Sequence, residues 1–265
     1  MMKNSRQASL RRVMVLVTGL LAALASLHGE PPTPAPSLAP ATAPAPAATP
    51  AVATLTPFAA RYKVEFFGFT AGTIDASLQG SNGHYQYRTT LNPHGLFRLK
   101  IPSGSWIASW LETDGVSVRP LRYQEEDGSS DTDEDVALDF DWAHRIVHGT
   151  AHDAAVRLPL PANSQDPLSL QVAVLTDFAN HREPKHYPMV DKDKIKEYDY
   201  KSAGNARVGT ALGPLDTVVF TSTRPGSTKL SRFWYAPSLG YLMVKSEDSD
   251  GGKLRVRMTI LSLKR

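Results

Sequence analysis

The sequence predicts a mainly β fold: a curved antiparallel sheet, open or closing into a half barrel, packed on one amphipathic α-helix. Three observations carry the prediction. Short segments alternating apolar and polar residues follow one another from Phe58 onward, the period of a half-buried strand. Turn-forming pairs punctuate them at Asp114-Gly115, Asp127-Gly128, Gly213-Pro214 and Pro225-Gly226, at roughly the 8–12-residue spacing of a sheet that curls or closes. One stretch departs from this texture and carries a helix-start signature.

The elements follow in order. Tyr62-Lys63-Val64-Glu65-Phe66 alternates, and Gly68 and Gly72 break the run. Ala71 to Leu78 and Tyr85 to Leu91 form a hairpin about Gly80-Ser81-Asn82-Gly83, a strong turn sequence. Further strands are expected over 104–113, 116–125, 135–140, 144–149, 154–158, 194–201, 206–211, 215–223, 229–236, 240–247 and 253–263. Asp250-Gly251-Gly252 closes the last hairpin. The helix opens at Asp166-Pro167, Asp as N-cap with Pro at the first helical position. Leu168, Val172, Leu175 and Phe178 or Ala179 then share a face, and Pro184 prevents continuation. That face is expected against the concave side of the sheet.

Ahead of this domain (58–265) lie two segments of different character. Residues 1–25 combine Lys3, Arg6, Arg11 and Arg12 with the start of an apolar run, Val13 to Leu27, that contains Ala23-Leu24-Ala25. A basic region, a short apolar stretch and a small-x-small site together read as a secretory signal peptide. The run is short against a bilayer core of about 30 Å; an uncleaved N-terminal anchor is the alternative. Residues 26–57 form a linker, with nine prolines and nine alanines and no charge between 31 and 57. Repeated prolines deny backbone donors and favour an extended, polyproline-like spacer without a core.

Charge and cysteine content exclude several functions. The 265 residues hold 29 Lys+Arg against 26 Asp+Glu, and no cysteine. Removing residues 1–25 takes four of the basic residues and leaves 25 against 26, so nothing supports nucleic-acid binding. Zero cysteines rule out disulfides, thiolate metal sites, a Cys nucleophile and a lipidated N-terminal Cys.

Candidate chemistry is sparse. His144, His148 and His152 would share a helix face, but the β-like run Arg145–Gly149 places residues four apart at about 13 Å, too far for one metal. His181 and His186 flank Pro184, with no carboxylate motif to pair them. Asp131-x-Asp133-x-Asp135 opens like a calcium loop, but Val136 and Trp142 occupy the positions that need Gly and a carboxylate; a solvated hairpin tip is expected. There is no Gly-x-Ser-x-Gly elbow and no phosphate-binding Gly-rich loop. No catalytic residue, metal ligand or cofactor is nominated.

Two aromatic groups remain: Phe58, Tyr62, Phe66, Phe67 and Phe69, then Phe97, Trp106 and Trp110. Most belong in a core. A curved sheet around one helix can also leave an apolar cavity, whose lining is expected from Phe66, Trp106, Leu168, Val172 and Leu175.

Four stretches together resemble the bacterial family called domain of unknown function 3108. They are Tyr62 to Gly72, Ser109 to Tyr123 (SWLETDGVSVRPLRY), Gln165 to Leu175 (QDPLSLQVAVL) and Phe233 to Gly252 (FWYAPSLGYLMVKSEDSDGG). Leu242-Met243-Val244 stands where the family often shows Leu-Pro-Val. The resemblance covers about 58–263 and implies an exported protein with a curved antiparallel half barrel, similar in shape to periplasmic lipoprotein carriers. It carries no catalytic residues across. The expected function is a periplasmic, non-enzymatic module that binds a lipid or other amphiphile. An envelope-assembly protein that acts on a protein partner through its surface is the alternative, and an envelope hydrolase is a remote one. No membrane span is expected in the mature form.

Overall fold

The computed structural model describes residues 55–265 apart from 100, 103, 130–132 and 224–226. The signal-peptide reading, and all but the end of the linker, lie outside the described residues. Fourteen strands are described: β1 Phe58–Phe66, β2 Phe69–Ser81, β3 His84–Pro93, β4 Trp106–Thr113, β5 Val118–Glu126, β6 Val136–Asp141, β7 Ile146–Ala151, β8 Ala154–Pro159, β9 His186–Asp191, β10 Lys194–Thr210, β11 Gly213–Thr223, β12 Lys229–Ala236, β13 Leu242–Asp250 and β14 Lys253–Lys264. One helix, α1 Ser169–Ala179, and short 3-10 turns at Gly95–Leu99 and Pro237–Leu239 complete them.

All fourteen strands join one antiparallel sheet in the order β8-β7-β6-β5-β4-β3-β2-β1-β14-β13-β12-β11-β10-β9. Two meanders therefore meet where the first strand pairs with the last. Within each meander, neighbours in sequence are neighbours in space, while β8 and β9, consecutive in sequence, stand at opposite edges. Burial alternates along the strands, most plainly in β13, where Leu242, Val244, Ser246 and Asp248 are hidden and the residues between them are half-buried. This is the pleat of a sheet with one face on a core.

The chain between the two edge strands runs through the inside of the curl. The Gln165 backbone bonds both ways with β9: its N–H donates to Pro188 O at 2.9 Å, and its carbonyl accepts from Val190 at 2.8 Å. The Gln165 side-chain amide reaches β5, donating to Val118 O at 2.9 Å. Beyond the helix, Asn180 Nδ2 donates to Gly115 O at 2.8 Å. Lys192, in the β9–β10 turn, lies 3.8 Å from buried Glu125 on β5. The two arms of the open sheet are thus bridged by residues 165–192 and not by a strand pair.

Three expectations are corrected. The strands expected over 194–201 and 206–211 are one strand, β10. Its register with β11 shifts between Ser202 and Asn205, and a bulge absorbs Ala203 and Gly204 without ending the pairing. Strand β9, which contains Pro188, is absent from the expected strands; it serves at an edge, where a missing N–H is tolerated. Helix α1 is enclosed around most of its circumference, with Leu170, Val172, Ala173, Val174, Thr176 and Phe178 all buried. Its second face is covered because it lies between the arms: Phe178 packs on Phe220, Tyr235 and Tyr241 of the far arm.

Candidate functional site

Helix α1 begins as its local sequence dictates. The Asp166 carboxylate accepts from the Leu168 and Ser169 N–H groups at 2.8 and 2.9 Å, and the Asp166 carbonyl accepts the first helical bond from Leu170. These are the orphan donors that an N-cap satisfies. The other carboxylate oxygen accepts from Ser109 Oγ on β4 at 2.5 Å, which pins the cap to the sheet. Burial pushes the Asp166 carboxyl up to about 6, against the opposing effect of these donors.

Pinned there, α1 leaves a hollow between itself and the part of the sheet that runs from β3 through β1 to β9. Seven aromatic side chains line it: Phe58 and Tyr62 from β1, Tyr87 from β3, Tyr198 and Tyr200 from β10, and Phe233 and Tyr235 from β12. The helix contributes Leu170, Gln171 and Leu175, and β13 contributes Ser246 and Asp248. Gln171 and Leu175, half-buried, lie one turn apart. The space open to the centre of a water molecule is ≈ 60 Å³, above the ~10–15 Å³ that a single water needs.

Its polar groups are ordered. Tyr62 Oη donates to Met243 O at 2.8 Å, and Tyr87 Oη donates to Gln171 Oε1 at 3.2 Å. Burial raises the phenols of Tyr62, Tyr87, Tyr200 and Tyr235 above their ordinary range, so they stay protonated donors at neutral pH. Asp248 is 7% exposed and accepts from Ser231 Oγ at 2.5 Å. Burial pushes its carboxyl up to about 7, opposed by the Ser231 bond and the charge of Lys229.

Of the five side chains expected to line a cavity, Leu175 does so. Leu168 and Val172 are fully buried in the packing around α1. Phe66 has the inward parity but lies near the far end of β1, against Phe67 and Phe97. Trp106 is on the opposite face of the sheet, with the Arg88 guanidinium 3.9 Å from its ring centroid. Ile107, next to it, points inward, so Trp106 must point out.

The histidines are also dispersed. His144 pairs with Asp141 at 2.7 Å and His152 lies 3.4 Å from Glu134. Among the described residues no three His, Asp or Glu side chains converge as a metal site. His186 departs from expectation: it stands between Asp199 at 2.8 Å and Glu197 at 2.9 Å. Both carboxylates come from the paired strand β10, a cross-strand neighbourhood that sequence spacing does not display.

Residues 61–259 match the family described as protein of unknown function (DUF3108). The chain belongs to the DUF3108 family. No curated protein matches it in sequence. Among solved structures, this DUF3108 chain is similar to a β-barrel-like protein of domain of unknown function DUF1849 from Brucella abortus, at 13% identity and a TM-score of 0.50, over 81% of this chain and 99% of that one. That likeness is one of fold. Fainter likenesses are to a Bacteroides fragilis protein with a YmcC-like fold, assigned as exported (10% identity, TM-score 0.32, 80% of this chain and 98% of that one), and to a Parabacteroides distasonis protein assigned as a lipoprotein (9%, 0.36, 80% and 97%).

A second feature of this DUF3108 domain is an apolar cluster at the β1–β2 end. Phe69 is 73% and Leu99 81% exposed, and Phe67 and Leu96 are exposed with them. Large apolar side chains gathered on a surface mark contact sites more often than scattered ones do.

Proposed function

We propose that this DUF3108 protein is an exported, non-catalytic binding module that takes a small amphiphile into the aromatic hollow beside α1. One observation carries the reading. A helix enclosed on most sides leaves, along Gln171 and Leu175, a space walled by seven aromatic rings and fixed hydroxyls. An apolar wall with a few placed polar groups is the usual make-up of a small-molecule site. At ≈ 60 Å³ the hollow suits a compact group, and a longer chain requires α1 to shift from the far arm. Export rests on the basic, apolar and small-residue pattern of residues 1–25. The absence of an enzymatic role rests on the sequence, which offers phenols and one buried carboxyl here and no nucleophile motif.

Native mass spectrometry and lipid extraction of the protein purified from its own envelope test the reading. One stoichiometric small amphiphile is expected, displaced when Leu175→Phe narrows the hollow. Protein that carries nothing, and binds no amphiphile added back, overturns it. The exposed cluster of Phe67, Phe69, Leu96 and Leu99 favours a second reading, envelope assembly through surface contact. Crosslinking in intact cells to one envelope protein, lost in Phe69→Ser/Leu99→Ser and retained in Leu175→Phe, supports that second reading over the first.

A further inference from the structure

The head group that suits the hollow follows from which side chains the sheet register sets side by side. Tyr200 pairs with Ser222, Ser222 with Ser231, and Ser231 with Asp248, so one inward-facing row crosses four strands. Two consecutive serines carry little bulk, and the hollow meets the two ends of the row, at Tyr200 and Asp248. Rings crowd beside the hollow: Tyr200 and Phe233 lie 5.8 Å apart, near-stacked at 23°, and Phe233 and Tyr235 lie 6.1 Å apart at 35°. Asp248 ends the row, almost wholly hidden from water.

The electrostatics point one way. Among the described residues no Lys, Arg or His lines the hollow, and Asp248 is the one carboxyl that does. Lys229 acts on that carboxyl from outside the lining. The ring faces add negative potential through their quadrupoles. A buried carboxylate whose one cationic neighbour, Lys229, stands outside the lining is costly, and an anionic ligand here would add to that cost.

We infer that the hollow binds a compact organic cation, an alkylammonium head group, with its charge against Asp248 and its alkyl substituents against Tyr200, Phe233 and Tyr235. Cation–π contact with several rings is how such heads are recognised, and a space of ≈ 60 Å³ calls for a compact head. The inference rests on the binding reading above and names the class of its ligand.

Calorimetric titration of the purified, delipidated chain at pH 8 tests it with three probes: choline, its uncharged carbon isostere 3,3-dimethylbutan-1-ol, and octanoate. Choline is expected to bind at least tenfold tighter than the alcohol, with no heat from octanoate. Asp248→Asn is expected to cost choline at least tenfold more affinity than it costs the alcohol. Should that variant fail to fold, Phe233→Leu takes its place, with a loss for choline at least threefold greater than its loss for the alcohol. Equal affinity for choline and the alcohol, or choline binding indifferent to these substitutions, overturns the cation assignment and leaves the binding reading standing. Octanoate binding in preference to choline does the same. Silence with all three probes overturns both.

Discussion

Replacing Asp248 by Asn should make the protein more stable at high pH than at low pH, relative to the parent. An exposed aspartate titrates near 3.8, and burial among Tyr200, Ser231 and Ser246 raises this one to about 7. Between those values the folded chain holds a proton that the unfolded chain has released. Stability from this group is therefore complete below pH 3.8 and is lost as pH rises to 7 and beyond. At about 1.4 kcal/mol per pH unit, the interval amounts to about 4 kcal/mol. Asn has the same shape, can take a bond from Ser231, and does not titrate. The stability of Asp248→Asn minus that of the parent should therefore climb by about 4 kcal/mol between pH 4 and pH 8. Taking the difference cancels every other titrating group, including His186. Urea unfolding followed by tryptophan fluorescence at five pH values measures it. A difference flat to within about 1 kcal/mol would show that Asp248 is solvated in the folded state, and the buried-carboxyl picture of the hollow would fail with it.

Other substitutions probe the frame that makes the hollow. Asp166→Ala strips the cap from Leu168 and Ser169 and orphans the Ser109 hydroxyl; a loss of about 1–2 kcal/mol is expected in urea unfolding, and an unchanged midpoint refutes the pinning role. Phe178→Ala removes the ring stacked 4.6 Å from Tyr241 and edge-on to Phe220, at a cost of about 3–5 kcal/mol. Less than about 1 kcal/mol would mean that α1 is not held to the far arm there. Gly149→Ala places a methyl 2.0 Å from the Ala137 carbonyl oxygen on the paired strand, so β6 and β7 must part. About 2–3 kcal/mol is expected, with faster amide exchange confined to β6–β8; wild-type exchange there contradicts the close approach.

Local rules account for much of the fold. Alternation marks most strands to within a few residues, because most inward side chains are apolar or small wherever one face of the pleat is covered. Asp166-Pro167 marks the helix start, because capping involves atoms only two or three residues away. The same alternation along Leu242, Val244, Ser246 and Asp248 was the available signal that Asp248 points inward. Within the polar run Ser246 to Asp250 it reads instead as a solvated hairpin.

What the tertiary structure decided is which face each side chain meets and what lies across from it. Trp106 and Ile107 differ by one position and lie on opposite faces, a parity that only the direction of the curl turns into inside and outside. Tyr200, Ser222, Ser231 and Asp248 become one row through pairings across four strands, with no local pattern tying 200 to 248. His186 acquires its two carboxylates in the same way. By itself the sequence determined periods, turns and a cap, since these depend on neighbours along the chain. The hollow depends on register and on where α1 comes to rest, and those are settled when the two arms close around it.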